Sequence, residues 1–138
     1  MNQSAEAFIE RLQRHDIKYM ENPQPDGSHY VAVELAGNDG SLYNVVMVFG
    51  ADGTEFRIRI FQLGKVPKDR VRPMLRTLNE INEAYAWLRF YIDSDSEVAA
   101  AMDAVITPGT AARVCWEMLR RAFSVLDEVQ AKIDGVLK

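Results

Sequence analysis

The sequence predicts an α+β domain in which one antiparallel, five-stranded sheet packs with three helices in the order αβββαββα. Three observations carry this prediction. Three strand-like runs follow one another with short turns between them. A helix-like stretch then ends at Asn82 and gives way to alternating residues, and a long amphipathic stretch follows Thr110. The length of 138 residues is that of a single domain, 1–138.

The first predicted helix runs from Ser4 to Asp16. Its apolar residues recur at helical spacing, and Ser4 is a residue type that caps helix N-termini. Pro23, Pro25 and Gly27 then interrupt the chain, with room for a short edge strand at Lys18–Glu21.

Three strands are predicted next, at Tyr30–Leu35, Leu42–Phe49 and Glu55–Phe61. The turns between them, 37–40 and 50–53, contain the Gly, Asn and Asp residues that tolerate positive φ. These short connections predict an antiparallel meander. The middle strand is apolar on nearly both faces, which is typical of a central strand or of one that faces a partner.

The second half of the chain predicts a helix, two strands and a final helix. Pro67 suits a first helical turn, while Pro73 either begins the helix or kinks it. Alternation then predicts a strand at Leu88–Ile92. The stretch Glu97–Ile106 is compatible with a helix by propensity and with a strand by spacing, and we predict a strand that pairs back on the previous one. Thr110 is placed to cap the last helix.

Composition indicates the cellular setting. The net charge of −4 argues against general nucleic-acid binding. Cys115 is the single cysteine, so an internal disulfide is excluded. No secretory signal pattern and no apolar run of about 20 residues is present, which predicts a cytoplasmic protein that does not interact with membranes.

The most distinctive pattern lies between positions 78 and 98. A helix ends in two asparagines, an Arg-Phe strand follows, and an acidic turn leads to a second strand. The residues are Leu78-Asn79-Glu80-Ile81-Asn82, then Leu88-Arg89-Phe90-Tyr91-Ile92-Asp93, Asp95 and Val98. This pattern, together with the order of elements, resembles the YbjN family, whose fold is that of the type III secretion chaperones. The resemblance implies a dimeric interaction protein, chaperone-like or regulatory, without an established enzymatic activity.

Candidate catalytic and metal-binding residues are few. His15 and His29 are the two histidines, and neither they nor Cys115 have metal-ligand neighbours at useful spacing. The acidic turn at 93–97 begins like a calcium loop but lacks the glycine and the glutamate that such a loop needs. Asn79 and Asn82 are expected to hydrogen-bond the backbone where the helix ends. We therefore predict no enzyme activity, no cofactor and no metal.

A cluster of basic residues is the surface feature that favours a binding function. Such an asymmetry in an acidic chain can orient an acidic protein partner, although a solvated face that balances the charge elsewhere also explains it. The predicted partner-binding residues are Arg57, Arg59, Lys68, Arg72 and Arg76.

Aromatic residues suggest a second surface. Trp87, Tyr91, Trp116 and Phe123 are candidates for a pocket or an interface. The leading hypothesis is a non-enzymatic, homodimeric module that binds a protein segment by pairing an edge strand and filling apolar pockets. The alternative is a small-molecule-binding sensory regulator with a pocket between the sheet and the helices.

Overall fold

A computed structural model of the chain describes residues 2–138, which form three α-helices, a 3₁₀ turn and six β-strands. The helices are α1 (Gln3–Arg14), α2 (Val71–Ala84) and α3 (Ala111–Leu137), and the 3₁₀ turn (Lys68–Arg70) directly precedes α2. The strands are β1 (Met20–Pro23), β2 (His29–Ala36), β3 (Leu42–Phe49), β4 (Glu55–Ile60), β5 (Arg89–Ile92) and β6 (Val98–Val105). The predicted α+β class with three helices is confirmed.

The sheet has six strands, so the predicted number of five is wrong. The strand order is β1-β2-β3-β4-β6-β5, and every neighbouring pair is antiparallel. The additional strand is β1, which ends at Pro23 rather than stopping before it. All four of its residues are exposed, so it has no apolar alternation that would predict a strand.

Two ambiguities of the second half are resolved. Residues 98–105 form a strand, β6, which pairs with β5 as predicted and also with β4. Pro73 lies in the first turn of α2, where a missing N–H leaves no helical hydrogen bond unmade. The helix therefore begins near Pro73, at Val71.

Both predicted helix caps differ from the observed ones. Asn2 caps α1, because its Oδ1 accepts a hydrogen bond from the Ala5 N–H at 3.1 Å. Ser4 instead donates its hydroxyl to the Gly53 carbonyl, 49 residues away. Thr110 does precede α3, but its hydroxyl accepts from the Thr107 N–H and does not cap a helix amide.

The three helices cover one face of the sheet. Residues alternate along the strands, and those facing the helices are buried, as in β4, where Phe56, Ile58 and Ile60 are fully buried. The buried strand residues form one continuous hydrophobic core with apolar residues of all three helices. The opposite face, which no helix of residues 2–138 covers, is called the open face below.

The three hairpins of the first four strands close with the same chemistry. Each turn contains Asp-Gly followed by Ser or Thr, with the glycine at positive φ, as at Gly53 (76°). Each aspartate accepts hydrogen bonds from the Ser or Thr two residues later, at Asp26, Asp39 and Asp52. These bonds favour the charged carboxylate and so lower the pKa of all three aspartates.

Candidate functional site

The open face carries the two basic residues of β4. Arg57 and Arg59 alternate with the buried residues of that strand and so point away from the helices. Arg59 Nη1 lies 2.6 Å from Asp103 Oδ1 on the neighbouring strand, and Arg57 Nη2 lies 3.6 Å from Glu55 Oε2. Part of their charge is therefore balanced locally.

The other three residues of the predicted basic set lie elsewhere. Lys68 belongs to the 3₁₀ turn, and Arg72 and Arg76 are exposed on α2. Helix α2 packs against α3 and β5, in the helical layer on the opposite side of the sheet. The structure thus divides the predicted cluster between two layers.

The four predicted aromatic residues lie in separate environments and do not line a common pocket between sheet and helices. Trp87 is 53% exposed at a positive φ of 79° and lies 4.7 Å from the Arg121 guanidinium. Tyr91 lies on the open face of β5, opposite Ala99. Trp116 stacks on the His15 ring at 4.1 Å, between α3 and the end of α1. Phe123 packs edge-on against the Tyr43 ring at 6.4 Å.

Asn82 and Arg89 join the end of α2 to strand β5. The side-chain amide of Asn82 makes two bonds to Phe90: its Oδ1 accepts from the Phe90 N–H at 2.8 Å, and its Nδ2 donates to the Phe90 carbonyl at 3.1 Å. In return, Arg89 Nη1 donates to the Tyr85 carbonyl at 2.8 Å and to the Asn82 carbonyl at 3.1 Å. Asn82 therefore bonds backbone groups, but those of strand β5 and not those of the helix end, and Asn79 is exposed on α2.

The two edges of the sheet differ in the groups that they present. In an antiparallel pair, residues alternate between facing the neighbouring strand and facing away from it. Asp93 donates its N–H to the Glu97 carbonyl, so Asp93 and every second residue before it face β6. Phe90 therefore faces away from β6, and the Asn82 side chain bonds its outward N–H and carbonyl. At the other edge, Gln24 donates its N–H to the Ser28 carbonyl, so Gln24 and Asn22 face β2. Glu21 and Pro23 alternate with them and face away from β2.

A cleft of about 570 Å³ lies beside β1 on the helix side of the sheet. Its apolar lining includes Ile9, Tyr19 and Pro23, and three acidic residues of α1 and β1 surround it. His29 Nε2 lies 3.3 Å from Glu21 Oε2 at this cleft. The acidic residues are Glu6, Glu10 and Glu21.

Sequence reasoning missed this part of the molecule. The cleft depends on Asn2, which caps α1 and donates its Nδ2 to the Gly50 carbonyl at 2.8 Å and to the Gly27 carbonyl at 3.2 Å. These contacts span 25 and 48 residues, so no local pattern could reveal them. Pro23 was the available indication, because a proline near a strand is tolerated where its missing N–H faces away from the ladder.

The sequence candidates for catalysis and metal binding, Cys115 and the acidic turn at 93–97, have structural surroundings. Cys115 is buried in the core, and burial raises the pKa of its thiol far above the ordinary value. Among residues 2–138, no group of three or more His, Cys, Asp or Glu side chains is placed to hold a metal ion. The acidic turn is organised by its own backbone, since Asp93 Oδ1 accepts from the Asp95 and Glu97 N–H groups. Within the same residues, every helix is too short or too polar to cross a membrane.

Comparison with known proteins identifies the family. The model of the YbjN family, described as "Putative bacterial sensory transduction regulator", matches residues 4–135. No curated protein matches the chain.

Solved structures share the fold. A crystal structure of YbjN, "a putative transcription regulator from E. coli", has a TM-score of 0.59 and 14% identity over 93% of this chain and 92% of that one. The ExsC–ExsE complex has a TM-score of 0.59 and 15% identity, covering 95% and 96%. The heterodimeric ExoU–SpcU complex from the type III secretion system of Pseudomonas aeruginosa has a TM-score of 0.50 and 13% identity, covering 92% and 94%. The predicted fold is confirmed by these likenesses.

Proposed function

The chain belongs to the YbjN family, and on that premise we propose that it is a non-enzymatic, homodimeric protein-interaction module, chaperone-like or regulatory, that binds an extended segment of another protein. Two of the structures that share its fold are complexes between two proteins. The observation that carries the proposal is the edge of β1, whose outward backbone groups lie beside a cleft.

The edge of β1 offers the groups that an incoming strand needs. The N–H and carbonyl of Glu21 and the carbonyl of Pro23 point away from β2. A partner segment in extended conformation would pair with these groups and become a seventh strand of the sheet. Main-chain bonds of this kind give affinity without requiring a particular partner sequence.

The cleft would supply the selectivity. Alternate side chains of an added strand would point to the helix side of the sheet, where Ile9, Tyr19 and Pro23 offer apolar contact. The carboxylates of Glu6 and Glu10 on α1 would disfavour acidic side chains at those positions.

The basic residues would bind the partner outside the cleft, on two different faces of the protein. Arg57 and Arg59 would orient acidic groups of the partner where it crosses β4, and Lys68, Arg72 and Arg76 would act separately on the helical layer. Acidity of the partner is thus proposed for regions outside the cleft.

Three further properties belong to the proposal. A non-enzymatic role is supported by the inert Cys115 thiol. A homodimer is supported by apolar side chains left exposed in the monomer, such as Leu42 at 62% and Val105 at 87%. A cytoplasmic location accords with an interaction module that has a single, reduced cysteine.

The test is affinity capture from a lysate of the encoding organism with three baits. The baits are the wild type, Glu21→Pro, and the double variant Arg57→Glu with Arg59→Glu. Glu21→Pro keeps the ladder to β2 and removes the outward N–H of β1, together with the carboxylate that lies 3.3 Å from His29 Nε2. We expect one stoichiometric protein on the wild-type bait that is lost on Glu21→Pro. Equal capture by both baits would contradict strand addition at β1.

A small-molecule sensor is the second candidate, and the same cleft is the observation in its favour. A volume of about 570 Å³ lies in the range of ligand sites, roughly 300–1,000 Å³. An endogenous compound that co-purifies with the wild type and is lost on Ile9→Arg would support it. Denaturing mass spectrometry of the freshly purified protein would detect such a compound.

A further inference from the structure

We propose that Asn82 occupies the edge of β5 in place of a neighbouring strand and thereby prevents this edge from pairing with a second copy of the chain. The proposal concerns the edge opposite β1 and does not depend on the proposed binding of a partner segment. It assigns a role to Asn82, the second asparagine of the distinctive pattern at the end of α2.

The geometry of Asn82 is that of a strand residue. A neighbouring antiparallel strand would bond Phe90 through one carbonyl and one N–H. The Asn82 side-chain amide supplies both, at 2.8 Å and 3.1 Å. The amide therefore satisfies the two outward backbone groups in the middle of a strand that is only four residues long.

The start of this edge belongs to the same junction. Helix α2 packs along β5, and Arg89 fixes the end of that helix by donating to the Tyr85 carbonyl. The outward carbonyl of Leu88 accepts a longer bond, 3.4 Å, from the Arg89 guanidinium. Asn82 is thus the central contact between the end of α2 and the strand edge.

The sequence of β5 explains why this edge needs protection. It reads Arg-Phe-Tyr-Ile, with three consecutive residues of high β-propensity, and an open edge of such residues is a template for self-pairing. Strand β1 reads Met-Glu-Asn-Pro, which contains no such run of residues with high β-propensity. An exposed β5 edge would pair antiparallel with the same edge of a second copy, because a two-fold interface brings identical strands together.

The experiment compares the molar mass of three variants with that of the wild type by light scattering coupled to size exclusion, over a range of concentrations. In Asn82→Ala we expect the mass to rise by about twofold with concentration, whatever the wild-type state. Asn79→Ala is the matched control, since Asn79 is exposed on the same helix, and it should keep the wild-type mass.

Asn82→Asp separates edge pairing from simple destabilisation. It loses the bond to the Phe90 carbonyl but places a charge on the edge, and a charge on an edge strand opposes pairing. We expect the wild-type mass for this variant, and a rise equal to that of Asn82→Ala would overturn the proposal.

The site of self-association is read by hydrogen exchange of the Phe90 amide. In dilute Asn82→Ala this amide should exchange faster than in the wild type and become protected again as the mass increases. A folded Asn82→Ala that keeps the wild-type mass would also overturn the proposal. If Asn82→Ala does not fold, Asn82→Ser takes its place, because serine is too short to make both bonds to Phe90.

Discussion

The two ends of the sheet each depend on one asparagine, but the two residues leave their edges in opposite states. Asn2 holds the start of α1 against the turn carbonyls of Gly27 and Gly50 and does not touch the backbone of β1. Asn82 bonds directly to the backbone of β5. The difference teaches that a sheet can close one edge with a side-chain amide, while the other edge, which we propose as the binding edge, is supported only through the helix and the turns beside it.

The largest expected effect is at the β1 end. Asn2→Ala removes a helix cap and two bonds from a side chain that is 4% exposed. We expect a loss of about 2–4 kcal/mol in the free energy of unfolding, measured by urea denaturation. Asn2→Ser restores the cap but cannot reach Gly50, so it should recover about 1 kcal/mol. Full stability of Asn2→Ala would mean that α1 is held mainly by its apolar face.

The next effect is at the β5 end. Asn82→Ala removes two partly buried bonds and should cost about 1–3 kcal/mol, again by urea denaturation. Asn79→Ala should change stability by less than about 0.5 kcal/mol, because Asn79 is exposed. Equal losses in the two variants would remove the distinction between the two asparagines.

A smaller effect concerns the three hairpin turns of the first four strands. The pKa values of Asp26, Asp39 and Asp52 are lowered by bonds from the Ser or Thr two residues later. An aspartate whose pKa is lower in the folded state than in the unfolded state stabilises the fold when it is charged. This stabilisation is complete above the pKa of the unfolded state, about 3.9, and is lost as the pH falls through the pKa of the folded state. The triple variant with asparagine at these positions should therefore lose less stability than the wild type as the pH is lowered from about 5 to 2. The measurement is the free energy of unfolding as a function of pH, and the same pH dependence in the wild type and the triple variant would contradict this.

The smallest effect on stability is expected for Glu21→Pro. Its N–H faces away from β2, so the change should cost less than about 0.5 kcal/mol by thermal or urea unfolding. Asn22→Pro is the matched control, since the Asn22 N–H faces β2 and its loss should cost more. A large loss in Glu21→Pro would show that the outward N–H, or the contact between the Glu21 carboxylate and His29, already has a structural role.

Elements with strong patterns could be predicted from the sequence, and those that depend on distant contacts could not. The alternation in β4 and the helical spacing in α3 revealed both elements, because each buries one regular face. Strand β1 buries no face, so its sequence offers room for an edge strand but no regular pattern. Local chemistry predicts that Asn82 bonds backbone groups, because asparagine competes for them at helix ends, but it does not predict that these groups belong to strand β5.

The candidate site was predicted less well than the fold. Arg59 and Arg72 are close in sequence, but the chain passes from the sheet to the helical layer between them. The cleft beside β1 joins α1 to the first hairpin through Asn2, over distances in sequence that no periodicity reports. Proximity along the chain was therefore a poor guide to a shared surface.

The most direct measurement is hydrogen exchange by mass spectrometry of the wild type with and without its captured partner. The account predicts new protection in β1 (Met20–Pro23) and along the face of α1 that lines the cleft, with the Phe90 region of β5 unchanged. Protection at β5 with none at β1 would contradict it.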